Sequence, residues 1–573
     1  MDGTSTLRNA TEQLAARFQQ PTVAAVLLTI LAIAIATRLT SGTRETRENG
    51  SRLPPTPGYW LPYLGHAPQL AWNTDGFLAS LRDKYPKGVF SLRLMGNVHT
   101  VVHRPSLVTR LVDKPQSEAD EKWLSAYLMV SNFGLSKSDL PLYWKMYDDV
   151  ASEYKHLVAQ DSLRELVDTA ARHLKESLPD WITFNSYPAD QMEWERQAEA
   201  DRIDTPSGET FVEADLVELT RNFVARTTIA SLMGTDFATN FSDFPKLLWG
   251  FDAAFNMLAM KLSPLWIPWP SLQRARIARK LALSHLYEFH EALDKHLADE
   301  DPGARWQDMH NVSALIKARA SVYRKHQIPL SVRAAMDFSL LWDMNANASP
   351  LVFWMLLEIY RDPILLEQMR DEISPYARAV QPKNEFGMGV WIPPTLEMLD
   401  VDGLVDDCPL LKAAYAETTR LYTGGWSWKW MQQGSVLSGD GQAEAGYLLK
   451  QGTYAYVPHG LHQLDPKSFP NPGEWQPMRH VEETPGKDGK TIRTAKGPES
   501  IGACVDRRAM GKGSAFALRE LLMHTAAILA MYEIRPPEGE KWTVPRTVKH
   551  AVVKHPAKKV VVWIKRRELQ TVG

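Results

Sequence analysis

The chain has 573 residues, of which 44% are hydrophobic and 23% charged, and its formal net charge is −2. That balance gives no electrostatic case for nucleic acid, and two cysteines, Cys408 and Cys504, exclude a disulfide scaffold or a Cys-rich zinc site and fit a reducing compartment. The length admits several domains or one large one, and nineteen tryptophans point to core packing, large apolar cavities or a membrane-facing surface.

Residues 1–20 form a short leading segment. Phe18 to Thr37 carries no charge, and Val23 to Ala36 is almost wholly aliphatic. A spanning helix needs about 20 residues, so 21–38 is just long enough to be a single transmembrane anchor, with a buried core helix as the blander reading. Asp2 and Glu12 beside Arg8 and Arg17 spoil it as a cleavable signal. Arg38, Arg44, Arg47 and Arg52 follow it, which keeps the large C-terminal part cytosolic. Pro54, Pro55, Pro57 and Pro62 then hold the chain extended. Residues 39–66 therefore read as a basic, proline-rich linker and 67–573 as one globular domain.

Within that domain a helical stretch, Gly76–Pro86, precedes two β-rich runs, Val89–Leu94 and Val98–His103, which read as a hairpin around Gly96. Amphipathic helical patterns dominate 145–330, Asp215–Met233 among them. Ser331–Tyr360 is a long apolar helix broken at Pro350, with Asp343, Asn345 and Asn347 just before the expected kink. Polar residues at a loosened turn of an apolar helix make a candidate site; solvent-facing or capping residues are the alternative. The last third holds a helix (Pro409–Leu421), a strand (Thr453–Pro458), a second helix (Ser514–Tyr532) and a final strand from Val560. The expected class is mainly α with small peripheral β-sheets.

Three segments carry a resemblance. Glu417 and Arg420, three apart on one helix face, pair with each other, and Trp475-Gln-Pro477-Met-Arg479 follows about sixty residues on. Ala346-Asn347-Ala348-Ser349-Pro350 interrupts the long helix. Together they resemble the cytochrome P-450 family of haem-thiolate monooxygenases, specifically the branch of prostacyclin synthase, sterol 7-hydroxylases and many fungal secondary-metabolism members. The resemblance runs from anchor to final strand. It implies a cytochrome P-450-like fold, a scaffold ion cluster of Glu417, Arg420 and Arg479, and a single-pass protein of the endoplasmic reticulum membrane with its catalytic domain cytosolic. Asn347 suits that branch, whereas Ala348 stands where its members carry a proton-relaying Thr.

The family's axial thiolate segment is where the chain departs. Gly513-Ser-Ala-Phe516-Ala517-Leu-Arg-Glu520 matches the helix that follows the ligand, and in that register Gly511 occupies the cysteine position. A rival register takes Cys504 as ligand and inserts seven residues before the Phe516 helix; Gly511 and Gly513 would then burden helical turns by about 1 kcal/mol each. Asp148 stands where Trp144 would lead to a propionate-binding Arg. The favoured expectation is that the cysteine is lost and no cofactor is bound.

On that expectation the protein is a cofactor-free cyclase. It would catalyse an intramolecular Diels–Alder or other pericyclic step on a small apolar natural product, a terpenoid or polyketide, by orientation in a shaped pocket and donors aimed at a carbonyl. Asn347, Asp343 and Ser349 are the candidate catalytic residues, and Ala346, Ala348, Trp426 and Trp428 the candidate pocket. The alternative is a membrane-bound monooxygenase with haem b, Cys504 as iron ligand and a cytochrome P-450 reductase as partner. A non-catalytic carrier is the third reading.

Overall fold

The structure is a computed structural model that describes residues 21–48, 50–260, 269–384, 392–438, 446–485, 491–496 and 513–572. It divides into two units, Met1–Glu121 with Trp426–Asp465, and Lys122–Gly425 with Pro466–Gly573.

In the first unit Pro21–Thr40 is a helix whose apolar side chains stand exposed along its length. Residues 39–66 add structure of their own: Thr46–Glu48 and Ser51–Leu53 join Tyr447–Leu449 and Ser435–Leu437 in a four-stranded sheet. Val89–Leu94 and Asn97–Val102 form the expected hairpin. Its turn residues Met95 and Gly96 both have positive φ, 51° and 83°, the twist a two-residue hairpin turn requires. That hairpin extends through Tyr454–Pro458 and Trp426–Met431 to Ala119–Asp120 as a five-stranded sheet. Leu78 and Leu81 of the helix Ala67–Lys84 pack with Phe90, Leu92, Val101 and Leu461 to form the local core.

The second unit is built on a 31-residue central helix, Leu330–Tyr360. It is apolar on nearly every face, as a helix surrounded by others must be. Leu216–Met233, Pro270–His296 and Ser514–Met531 pack against it. Pro350 removes one backbone donor, yet the helix continues through it, so the expected break is absent. Burial on all sides outweighs the local penalty of roughly 3 kcal/mol. A buried network pins its first turns: Asp337 accepts from Arg319 at 2.6 Å and Tyr323 at 2.8 Å, with His290 at 3.1 Å. Burial alone would raise the Asp337 carboxyl, but the Arg319 charge and the His290 bond hold it far below its ordinary value. Small sheets lie outside the helices, among them the antiparallel Tyr532–Arg535, Val561–Arg566, Thr210–Asp215 and Asp201–Asp204.

Among the described residues one helix, Ser514–Met531, is long and apolar enough to cross a membrane, but it is mostly buried and serves as core. Pro21–Thr40 contains a shorter apolar helical run, Ala24–Thr40.

Candidate active site

Glu417 and Arg420 sit on the helix Pro409–Tyr422, completely buried. Two parallel bonds join them, Nε to Oε2 at 2.7 Å and Nη2 to Oε1 at 2.8 Å. Arg479 Nε reaches Glu417 Oε1 at 3.1 Å, and the Gln476 amide donates to the same oxygen at 2.9 Å. The sequence reading missed His480, whose Nε2 lies 2.9 Å from Glu417 Oε2. Burial pushes the Glu417 carboxyl upward, and the Arg420 and His480 bonds outweigh it to hold the group at about 2. Arg420 and Arg479 also bind backbone carbonyls of Pro472, Glu474, Pro470 and Asn471. The cluster thus clamps the 470–480 segment onto this helix.

The central helix gathers Asp343, Asn345, Asn347 and Ser349 within two turns. Asn345 and Ser349 are buried one turn apart on the same face; Asn345 Nδ2 donates to the Leu341 carbonyl at 2.8 Å. Asn345 Oδ1 and Ser349 Oγ have no partner among the described residues. Asn347, on another face, donates to the Asp343 carbonyl at 3.3 Å. Asp343 is open to water, although Trp342, Met344, Asn345 and Ala346 beside it are buried. Protein surrounds it closely enough that burial pushes its carboxyl up to about 6. Ala346 and Ala348 are buried. Ala348 brings no hydroxyl, so Ser349 supplies the one in this turn.

Trp426 and Trp428 belong to the first unit. They alternate on the strand Trp426–Met431, half-buried on one face, while Ser427, Lys429 and Met431 are buried on the other. Pairing with Tyr454–Pro458 makes the strand. Trp428 packs on Tyr456 with ring centroids 4.3 Å apart, and Ser427 Oγ lies 2.8 Å from His459 Nε2.

The thiols decide whether a thiolate ligand is available. Cys408 immediately precedes the Pro409 helix, is buried, and donates through Sγ to the Glu372 carbonyl at 3.7 Å. Burial and the Glu372 and Asp407 charges push its thiol up to about 12, so it stays protonated. Cys504 is then the chain's remaining thiol. Cys504 and Gly511 both lie outside the described residues, just ahead of the helix Ser514–Met531. Gly513, at the head of that helix, meets the central helix: a Cβ there would lie 3.5 Å from Met344 Sδ. The chain thus keeps one thiol, Cys504, of the kind that a haem-thiolate site would need. Asp148 bonds Lys122 Nζ at 2.6 Å on the surface of its unit.

Asp252, His550 and His555 are spaced to hold a metal ion. Yet the two imidazoles stack with centroids 4.1 Å apart and planes 6° from parallel. In-plane lone pairs of parallel rings do not converge on one ion. Asp252 instead accepts the Trp342 indole N–H at 2.7 Å. A second polar pair escaped the sequence reading: Thr228 Oγ1 bonds Glu520 Oε1, and Thr227 Oγ1 lies 2.8 Å from His524 Nε2. Burial pushes the Glu520 carboxyl up to about 8, the Thr228 bond opposing it.

The family model described as Cytochrome P450 matches residues 54–562. A cytochrome P450 monooxygenase of Gibberella zeae is 23% identical over 494 residues, 84% of this chain and 81% of that protein. Cytochrome P450 monooxygenase nodJ of Hypoxylon pulicicidum is 20% identical, covering 91% of this chain and 90% of its own length. The 7-alpha-hydroxycholest-4-en-3-one 12-alpha-hydroxylase of Homo sapiens is 21% identical, covering 73% and 74%. These matches overturn the expectation of a protein without cofactor: a chain that follows this family along nearly its whole length points to haem. The earlier inference treated the segment before the Phe516 helix as gapless. Lengthening a loop costs little, about 0.6 kcal/mol per doubling, so seven extra residues after Cys504 are no argument for losing the ligand. The chain belongs to the cytochrome P450 family.

Proposed function

We propose that the protein is a membrane-anchored haem-thiolate monooxygenase that hydroxylates an apolar, polycyclic intermediate of secondary metabolism, with Cys504 as the iron ligand. The observation that carries this reading is the state of Cys408. A buried thiol held protonated leaves Cys504 as the only thiolate the chain offers. The names of the fungal and human relatives, monooxygenases and a sterol hydroxylase, support the reaction and the substrate class.

Bound haem would supply dioxygen activation at an iron whose thiolate ligand donates electron density. In the net reaction one oxygen atom enters a C–H bond as C–O–H and the other leaves as water. The two electrons come from NADPH through a flavoprotein reductase, and two protons are consumed.

The chain's own residues bind, orient and pass protons. Ser349 Oγ, without a partner among the described residues, holds a transferable proton on the turn where Ala348 has none. Asn345 Oδ1 accepts from a water or hydroxyl in line with it, since its amide group is already spent on Leu341. Asp343, whose carboxyl burial pushes up to about 6, serves as a proton reservoir near neutral pH. Pro21–Thr40 anchors the protein to the endoplasmic reticulum membrane in a single pass, with the arginines after it on the cytosolic side.

The test is the visible spectrum of the purified full chain, expressed with haem supplied, before and after reduction under carbon monoxide. A Soret band with the thiolate-type shift is expected, together with NADPH-dependent hydroxylation of terpenoid or polyketide substrates when reductase is added. A colourless protein sinks the reading.

A further inference from the structure

Asp252, His550 and His555 offer polar atoms that lie within 4.8 Å of one another, yet their stacked rings refuse a metal ion. The bonds already made there say what else would fit. Asp252 is buried at the end of the helix Phe244–Asp252, and its Oδ1 accepts the Trp342 indole. Its backbone carbonyl lies 3.0 Å from His550 Nε2. A carbonyl can only accept, so that nitrogen carries hydrogen and is a donor. His555 Nε2 is buried and has no partner among the described residues. Burial and the His550 and Arg221 charges push the His555 imidazole down to about 3. It is therefore neutral at ordinary pH, with one nitrogen to donate and one to accept.

One oxygen spans this gap. Two hydrogen bonds of about 2.8 Å that meet at about 120° bridge atoms about 4.8 Å apart. A hydroxyl satisfies both sides: its hydrogen goes to an Asp252 carboxylate oxygen, and its lone pair takes the hydrogen of His555 Nε2. A carbonyl or an ether brings no hydrogen for Asp252.

The cluster lies beside Asn345 and Ser349. Trp342, Asn345 and Ser349 share one face of the central helix by their spacings of three and seven. The loop that leads from Thr547–Val548 to His555–Pro556 runs beside the same stretch. The Lys554 carbonyl accepts the Trp354 indole at 2.8 Å, past Ser349, while His550 meets Asp252 next to Trp342. From its other side the loop is fastened by the Gly424 amide to the Val552 carbonyl at 3.0 Å and the Lys554 amide to the Tyr422 carbonyl at 2.8 Å. Trp342 and Phe255 stack face to face at 4.0 Å, and Phe133 lies 5.6 Å from Trp342. An apolar wall thus adjoins the polar pair.

We propose that Asp252 and His555 form a hydroxyl-recognition site that anchors the far end of the substrate, about 10 Å along the central helix from Ser349. The substrate is an apolar polycyclic alcohol that already carries oxygen at one end and receives the new oxygen at the other. The inference rests on the monooxygenase reading above.

Equilibrium dialysis of the full chain, purified after expression with haem supplied, tests it against a panel of polycyclic terpenoid monoalcohols, each with its deoxy and methyl-ether analogues. At least one alcohol should bind about 10-fold or more tighter than both of its analogues. In His555→Phe, which keeps the aromatic stack, and in Asp252→Asn, which keeps an oxygen for Trp342, that preference should vanish while affinity for the deoxy analogue is unchanged. His555→Phe also removes an unpaired buried nitrogen, so its unfolding midpoint should equal or exceed that of the parent. A collapsed midpoint makes the nitrogen structural and overturns the proposal. Alcohols that bind no better than their analogues, or a folded His555→Phe that keeps the preference, overturn the anchor and leave the oxygenase standing. Binding by no member of the panel removes the substrate class and the anchor together. A colourless protein that still prefers the alcohols keeps the anchor and loses the oxygenase.

Discussion

Asn345 and Ser349 stand one turn apart on the same face of the central helix, both buried and each with an oxygen that no described residue pairs. A structural pair would be satisfied, because a buried polar atom left alone costs about 1–3 kcal/mol. Ser349→Ala therefore removes a burden rather than a support. Its unfolding midpoint should equal or exceed that of the parent. Product formation should fall by about 10²-fold, the usual contribution of a positioned proton donor, while NADPH is still consumed. A large fall in midpoint with unchanged turnover would make the hydroxyl structural and remove it from the proposed proton path.

Glu417→Gln should be the most damaging surface-distant change in the scaffold. It leaves Arg420, buried completely, without its counter-ion, a loss of about 3–5 kcal/mol. The linkage runs in the carboxylate direction. Because the folded group titrates at about 2 rather than 4.5, it contributes about 3 kcal/mol above pH 4.5 that disappears as pH falls toward 2. Acid unfolding of the parent should be steep across that window. Denaturant titrations at stepped pH check it: a parent insensitive to pH there would refute the assignment.

Glu520 behaves oppositely. Its buried carboxyl titrates at about 8 against an ordinary 4.5, so the folded state holds the proton more tightly and stability declines as pH rises between those values. Glu520→Gln copies the protonated shape. It should be near neutral at pH 5 and more stable than the parent at pH 9. Melting curves at the two pH values decide it, and a variant less stable at both would mean that the ionised carboxylate is the native form.

How far the sequence showed these features depended on separation along the chain. Glu417 and Arg420 announce themselves at a spacing of three, and Arg479 by its Pro477 segment. His480 does not, since its bond to Glu417 needs the tight turn Pro477–His480 to aim the ring. Thr228 and Glu520 are 292 positions apart, and only the packing of Leu216–Met233 and Ser514–Met531 in one unit unites them. Pro350 misled because the local rule for proline holds for solvated helices, whereas this one is braced on every side. Nothing local marks Trp426 and Trp428 as strand, since it is pairing with the distant Tyr454–Pro458 that extends them. The thiolate segment misled through an assumption about length. The Phe516 helix fixes a register only for residues inside it, and Cys504 lies before it in sequence where insertions are cheap.

The two cysteines should separate cleanly in the laboratory. Cys408 is buried, hydrogen-bonded and held protonated with a pKa of about 12, and the thiolate is the reactive form. Iodoacetamide at pH 7.5 should therefore leave it unmodified in the folded protein. Cys408→Ala removes a small buried side chain and should retain the carbon monoxide spectrum and turnover at the expense of a modest drop in stability. Cys504→Ala should abolish both the thiolate-type Soret shift and NADPH-dependent product, and its haem content should fall. Haem reconstitution should protect Cys504 from alkylation in the parent, because coordination to iron lowers the sulfur's nucleophilicity and blocks the reagent's approach. A Cys504→Ala protein that keeps the shifted Soret band would assign the ligand to Cys408 against its burial. One that keeps turnover with no Soret band at all would remove the oxygenase reading altogether.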